Sequence, residues 1–154
     1  MMITAVSAFI LAIGLQTAWV EADDGRYTRD FDCRIADASP AIKASMPGRP
    51  EMALKATGTE DTITSITITL SGSDGRSETM TSRSCDTEEA VTTEDDVEYP
   101  GDVYQCSLVT STSGFANFYG RQEDGGFTLL RIRGAARYED RDEPTFDYIV
   151  GRCR

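Results

Sequence analysis

The chain contains no histidine, which is the commonest general base and the commonest metal ligand in proteins. This absence excludes Ser-His-Asp and Cys-His nucleophile systems and any histidine-ligated metal centre. The GxSxG and SxxK motifs and the glycine-rich phosphate loops are missing as well. We therefore predict that the protein is not an enzyme and needs no cofactor. A hydrolase that uses paired carboxylates is the one catalytic alternative that this composition permits.

Lysine is nearly absent too, since Lys43 and Lys55 are the only two and arginine supplies the other basic side chains. The 15 basic residues are outnumbered by 26 acidic ones, which gives a net charge of −11 at neutral pH. Nucleic acid and anionic lipid both require positive patches, so neither is an expected partner. Asn117 is the only asparagine and lies outside a glycosylation acceptor sequence. This residue usage favours a bacterial source.

An almost uninterrupted apolar run extends from Ile3 to Val20, and Ala22 follows as a small residue of the kind that signal peptidases require. We predict that residues 1–22 are a signal peptide and that residues 23–154 form one domain in the periplasm or the medium. An uncleaved membrane anchor is the alternative, because the run approaches the length of a span. No membrane span is expected after cleavage, and the oligomeric state stays open.

All four cysteines lie beyond the predicted cleavage site and are therefore expected to meet an oxidising compartment. Four cysteines allow three pairings, and the absence of a CxxC motif argues against a zinc ribbon or a redox pair. We expect the disulfides Cys33–Cys153 and Cys85–Cys106. The first would join the N-terminal region of the domain to the last strand, and the second would tether an acidic loop between two neighbouring strands.

Short β-branched and aromatic segments between turn-forming residues indicate a mostly β fold. The predicted class is a single antiparallel domain of about seven to nine short strands, either a barrel or a sandwich, with one short helix over residues 40–46. Residues 23–30 are polar and are expected to be a loose lead-in. The predicted strands cover residues 31–36, 52–57, 62–70, 77–82, 102–110, 115–119, 127–133 (with 135–138 as a continuation) and 145–152.

Two of these strands show an irregular alternation. Ile63 and Ile66 have opposite parity, which indicates either a bulge between them or a strand that is partly covered on both faces. In the last strand, Tyr148 and Cys153 also have opposite parity. The disulfide at Cys153 therefore requires a strand end or a twist near Gly151.

Acidic residues crowd the segment from residue 86 to residue 102. Clustered carboxylates are the ligands that Ca²⁺ requires, although their spacing matches no EF-hand loop. The alternatives are a solvated loop and a docking site for a cationic protein, whose complex would weaken steeply with salt. The calcium candidates are Asp86, Glu88, Glu89, Glu94, Asp95 and Asp96.

A second candidate site consists of Arg131, Arg133 and Arg137, which share one parity. On one strand face they would form a guanidinium stripe able to bind phosphate, sulfate or carboxylate through paired hydrogen bonds. The alternative is that they pair with Asp or Glu on neighbouring strands at the solvent face. The aromatic residues that recur on the predicted strands are expected mainly in the core.

The C-terminal third carries a partial resemblance to a known family. Residues 104–106 (Tyr-Gln-Cys), 129–130 (Leu-Leu) and 134–138 (Gly-Ala-Ala-Arg-Tyr) resemble segments of the membrane-bound and periplasmic C-type lysozyme inhibitors. Arg133 stands where the serine of that family's Ser-Gly-x-x-Tyr loop would be, and one extra residue precedes Tyr138. We therefore do not assign the chain to the family. The resemblance implies a small exported β-barrel suited to binding a cationic enzyme.

Together these patterns predict an exported, non-catalytic β domain that binds a protein or an envelope component through its loops. A basic protein is the expected partner, because the chain is acidic. One alternative is a small-ligand carrier, in which a barrel has an aromatic interior and an arginine at its mouth. The other alternative is an inhibitor of a cationic, envelope-active enzyme.

Overall fold

The structure is a computed structural model that describes residues 19–21, 25–46, 48–59, 62–92, 98–111, 114–123, 126–135 and 145–154. Within these residues it contains nine strands and one helix, and the neighbouring strands pair antiparallel throughout. The elements are β1 (Val20–Glu21), β2 (Tyr27–Ala38), α1 (Pro40–Ser45), β3 (Glu51–Gly58), β4 (Ile63–Ser71), β5 (Ser77–Thr92), β6 (Glu98–Thr110), β7 (Phe115–Glu123), β8 (Gly126–Gly134) and β9 (Tyr148–Cys153).

Strand β2 closes the sheet because it pairs on both of its edges. Its residues 27–33 pair with β3 and its residues 33–38 pair with β9. Strands β2 to β9 therefore form a closed eight-stranded barrel, and β1 adds to the edge of β2. The mostly antiparallel β class predicted from the sequence is confirmed. Of the two predicted architectures, the protein has the barrel.

Consecutive strands alternate in direction, so the barrel has two distinct ends. Helix α1 joins β2 to β3 at one end, which we call the helix end, and the β5–β6 hairpin lies at the other, the ribbon end. Pro40 occupies the first turn of α1, where its fixed φ is favourable and its missing N–H costs nothing. Ile42 and Met46 pack against the core, so the helix covers its end of the barrel.

Alternate residues of the strands fill the barrel interior with apolar side chains. The ring of Phe127 lies 5.3 Å from that of Phe31, 5.5 Å from that of Phe118 and 6.4 Å from that of Tyr104, measured between centroids. Each buried ring or aliphatic side chain contributes about 1.5–3 kcal/mol to folding. The largest fully buried side chains of the described residues are Phe118, Phe127, Leu54, Ile63, Ile66, Ile68, Leu108, Leu130, Val103 and Cys106.

The irregular parity of Ile63 is explained by a bulge. The β3–β4 register shifts between Thr57 and Gly58, so that Ile63 and Ile66 both point inward, each 1% exposed. A Cβ at Gly58 would overlap the carbonyl oxygen of Thr62, so only glycine fits opposite the bulge. Of the two sequence-based explanations, the bulge is the one that the structure contains.

The cysteines pair as Cys33–Cys153, between β2 and β9, and Cys85–Cys106, between β5 and β6. These are the pairs expected from the sequence. Asp32 and Arg154 exchange both backbone hydrogen bonds, at 3.0 and 2.9 Å, so the adjacent pair Cys33 and Cys153 is a non-hydrogen-bonded one. Side chains approach most closely in such pairs, which favours a cross-strand disulfide.

No twist near Gly151 is needed to form this bridge. Ile149, Gly151 and Cys153 all lie on the buried face of β9, whereas Tyr148 and Val150 lie on the outer face. The predicted requirement for a strand end or a twist near Gly151 is therefore wrong, because the aromatic face of this strand is the outer one. The aromatic side chain is accommodated outside the barrel by an arginine, as described below.

Several strands extend beyond the predicted limits. Strand β2 begins at Tyr27, inside the segment predicted to be a loose lead-in, and β5 continues to Thr92. Residues 1–18 and 22 of the predicted signal peptide lie outside the described residues, as do residues 23–24 that follow it. Trp19, which is described, packs against the core. Among the described residues there is no helix whose length and hydrophobicity would let it span a bilayer.

Candidate functional site

The hairpin of β5 and β6 extends past the barrel wall at the ribbon end. Strand β4 pairs with β5 only as far as Thr81, and β7 pairs with β6 only from Val103 onward. Residues 86–92 of β5 and 98–102 of β6 continue to pair with each other or with the adjoining part of the hairpin. We call these residues the acidic ribbon. Among the described residues, the outer edges of the ribbon have no strand partner.

The described acidic side chains of the ribbon are in solvent. Asp86, Thr87, Glu88 and Glu89 are all exposed, and four consecutive exposed residues on a strand mean that both of its faces are solvated. Glu98 on the partner strand is exposed as well. The base of the ribbon is clamped by the Cys85–Cys106 disulfide. The ribbon therefore presents negative charge on two faces from a covalently anchored base.

The predicted calcium site falls partly on this ribbon. Asp86, Glu88 and Glu89 lie on β5 and not in a loop, because β5 continues beyond Ser82 and pairs there with β6. Glu89 points to the opposite face of β5 from Asp86 and Glu88, so the three carboxylates do not converge on one ion. The remaining candidates, Glu94, Asp95 and Asp96, lie outside the described residues. No group of three or more metal-ligating side chains occurs in the described part of the chain.

The predicted arginine stripe lies on the outer face of β8. Arg131 and Arg133 are opposite Val150 and Tyr148 of β9, and Arg137 lies outside the described residues. The guanidinium carbon of Arg131 is 5.0 Å from the centroid of the Tyr148 ring. Stacking of this kind contributes about 0.5–2 kcal/mol, depending on burial. It also explains why an aromatic residue is stable on the outside of the barrel.

Arg133 is the more enclosed of the two. Its guanidinium carbon lies 4.6 Å from the centroid of Phe146 and 5.7 Å from that of Tyr119, and it donates a hydrogen bond of 3.5 Å to the hydroxyl of Tyr119. The residue is only 4% exposed, so an anion in solution reaches little of it. The stripe therefore brings together aromatic rings and guanidinium groups, a combination that neither sequence-based alternative contained.

An open groove of about 890 Å³ lies at the helix end. Its walls are the last part of β2, helix α1 and residues 48–51, and we call it the helix groove. Lys43 forms an ion pair of 2.9 Å with Asp37 at its rim, and Tyr148 donates a hydrogen bond of 3.4 Å to the same carboxylate. The hydrogen bond from Lys43, followed by the backbone N–H of Ala38, lowers the pKa of Asp37 below its usual value.

Arg29 faces the barrel interior near the ribbon end. It shares the parity of Phe31 and Cys33, and its guanidinium carbon lies 4.6 Å from the centroid of the Phe31 ring. Its Nε is buried and has no hydrogen-bond partner among the described residues. Burial lowers the pKa of Arg29 below its usual value. Sequence reasoning missed this residue, although its parity with two inward-facing residues was a signal.

The described surface thus offers two places for a partner, the acidic ribbon at one end and the helix groove at the other. Comparisons of the chain with protein-family models, with curated proteins and with solved structures find no match. The function proposed below is therefore based on the geometry and charge of these two surfaces.

Proposed function

We propose that this protein is an exported, non-catalytic β-barrel that binds a basic protein of the bacterial envelope through its acidic ribbon. The observation that carries the proposal is the projection of the ribbon beyond the barrel, with Asp86, Glu88 and Glu89 exposed and both outer edges without a strand partner in the described chain. Negative charge in this position attracts cationic partners over a distance and accelerates their association.

The open edges supply the second element of recognition. A partner can add an extended segment to such an edge and form backbone hydrogen bonds that charge alone does not provide. The disulfide between Cys85 and Cys106 limits the movement of the ribbon base, so less conformational entropy is lost on binding. Charge therefore favours encounter, and edge pairing would hold the complex together.

The packed interior supports binding at the surface over the small-ligand carrier. Phe31, Phe118 and Phe127 meet ring to ring where a carrier would hold its ligand. Arg29 lies at the position that the carrier hypothesis gives to an arginine, but its guanidinium group is stacked on Phe31. The third hypothesis, an inhibitor of a cationic enzyme, is a special case of the proposed function, because it requires the same acidic surface.

A C-type lysozyme is a suitable probe, because it is a basic, envelope-active enzyme. We expect it to bind the intact protein and the affinity to fall at least about tenfold between low and physiological ionic strength. The double variant Glu88→Lys/Glu89→Lys should weaken the affinity at least about tenfold at low salt. The matched control is Asp30→Lys/Asp32→Lys, which changes the net charge equally on exposed residues of β2.

Binding measured by isothermal titration calorimetry decides the outcome. Equal loss of affinity in the two double variants would mean that only net charge matters and would reject the ribbon as the site. No binding of lysozyme or of a second basic protein, such as a cytochrome c, would reject the proposed function. A lysis assay on the same samples tests the inhibitor hypothesis, since an inhibitor lowers the rate of lysis in proportion to the complex formed.

A further inference from the structure

The edge of β2 is open where it borders the helix groove. Strand β3 pairs with β2 only as far as Cys33, which is opposite Met52. On the same edge, residues 34–38 have no strand partner among the described residues, although their other edge pairs with β9. These residues also line the helix groove, so the empty volume lies directly beside the open edge.

Pro50 is one reason why this edge is open. Backbone groups alternate in direction along a strand, and Asp32 directs its N–H and C=O toward Arg154 of β9. The groups of Cys33 and Ile35 therefore point to the β3 side. The residue of the β3 side that would come opposite Ile35 is Pro50, which has no N–H to donate and precedes the first residue of the strand.

The helix groove carries a small excess of positive charge, because Arg34, Lys43 and Arg49 line it against Asp37 and Glu51. Lys43 is paired with Asp37, but Arg34 and Arg49 form no ion pair within the described residues. Arg34 also lies directly opposite Arg152 on β9, and like charges in that relationship repel each other. In a chain with a net charge of −11, these guanidinium groups form a local site for an anionic group.

The floor of the helix groove is apolar. Ile35, Ile42, Met46 and Ile149 line it, and Ile149 is buried. The groove is within the usual size range of binding sites, which extends to about 1,000 Å³. The helix groove thus combines apolar side chains, an open strand edge and two arginines that form no ion pair within the described residues. An extended peptide whose side chains alternate between apolar and acidic satisfies all three.

We propose that the helix groove binds an extended peptide segment of a partner protein, which adds to the edge of β2 at residues 34–38 and directs an acidic side chain toward Arg34 and Arg49. Alternate side chains of an added strand point to opposite faces, so apolar residues reach the floor while acidic ones reach the arginines. The site lies at the opposite end of the barrel from the acidic ribbon and takes a ligand of opposite charge.

The test uses two capped, fluorescently labelled heptapeptides, one alternating valine with aspartate and the other alternating valine with lysine. We expect the aspartate peptide to bind at least about tenfold more tightly, as measured by fluorescence anisotropy. The double variant Arg34→Glu/Arg49→Glu should abolish this preference. The matched control is the double variant Lys55→Glu/Arg76→Glu, in which both residues are exposed and neither lines the helix groove.

A second measurement tests the strand addition itself. The backbone amide of Ile35 should become protected from hydrogen exchange when the aspartate peptide binds, whereas the exposed amide of Gly75 should not change. An unprotected Ile35 amide, or equal binding of the two peptides, would overturn the proposal.

The proposal would also be overturned if a second copy of the chain occupies the open edge. Sedimentation would show this as self-association that is lost in the double variant Arg34→Glu/Arg49→Glu. Lysozyme binding by the same variant should be unchanged, so this result and the result for the acidic ribbon can be told apart.

Discussion

On the side of Ile66 that faces β5, the hydroxyl of Ser82 takes the place of a strand partner for the backbone. It accepts a hydrogen bond of 2.9 Å from the backbone N–H of Ile66 and donates one of 3.4 Å to the carbonyl of the same residue. The regular β4–β5 pairing ends at Thr67, and Ser82 is only 3% exposed. A single buried side chain therefore satisfies two backbone groups at the point where β5 leaves β4.

We expect Ser82→Ala to lower the free energy of unfolding by about 1–3 kcal/mol, because it leaves two buried backbone groups without partners. Urea denaturation followed by circular dichroism measures the change. Ser77→Ala, at an exposed position of the same strand, is the control and should change the stability by less than about 0.5 kcal/mol. Equal stability of the two variants would show that water replaces the hydroxyl.

The two disulfides should contribute unequally to stability. The Cys33–Cys153 bridge closes a segment of 120 residues and the Cys85–Cys106 bridge one of 21. In the chain-entropy model, these constrain the unfolded state by about 5 and about 3 kcal/mol. Replacing each pair with alanine and comparing urea midpoints tests this order. A greater loss from the shorter bridge would mean that native contacts, and not loop entropy, determine the effect.

We predict that Arg29→Met stabilises the barrel by about 1 kcal/mol. The buried Nε of Arg29 costs about 1–3 kcal/mol without a hydrogen-bond partner, whereas its stacking on Phe31 returns only about 0.5–1 kcal/mol. Arg29→Lys retains the charge and should not stabilise the protein. Thermal unfolding of both variants decides the matter, and a lower midpoint for Arg29→Met would show that stacking outweighs desolvation.

The Asp37–Lys43 pair should make stability depend on pH at both extremes. Since the pKa of Asp37 is lowered in the folded state, its contribution is present above the usual carboxyl pKa and is lost as the pH falls through the folded value. Since the pKa of Lys43 is raised, its contribution is present below the usual amine pKa and is lost as the pH rises through the folded value. Asp37→Asn should flatten both limbs of the melting-temperature profile measured by thermal unfolding.

Removal of the predicted signal peptide has a simple spectroscopic consequence. Trp19 is the only tryptophan, so cleavage after Ala22 yields a protein with tyrosine emission alone. We expect protein recovered from the periplasm or medium to lack tryptophan fluorescence and to begin at Asp23 by mass. Unprocessed chain made in a cell-free system serves as the tryptophan-containing control. Tryptophan emission from a membrane fraction would instead support the uncleaved anchor.

Local patterns were sufficient for the class of the fold. The β-branched alternation of residues 62–70 and the turn that follows predict two antiparallel strands, and β4 and β5 occupy these positions. The same patterns failed at Tyr27 and beyond Ser82, where polar segments form strands. Backbone hydrogen bonding does not depend on side-chain polarity, so a polar segment becomes a strand wherever a neighbour offers its edge.

The sequence by itself determined the antiparallel β character, the acidity and the cysteines available to form disulfides, because these depend on composition and on neighbours a few residues apart. Only the tertiary structure decided the closure of the barrel, since β2 and β9 meet at Cys33 and Cys153, 120 residues apart. Closure in turn decided which face of each strand is buried. It placed Arg133 among aromatic rings outside the barrel and Arg29 over Phe31 inside it. Such contacts join distant segments, and no local periodicity encodes them.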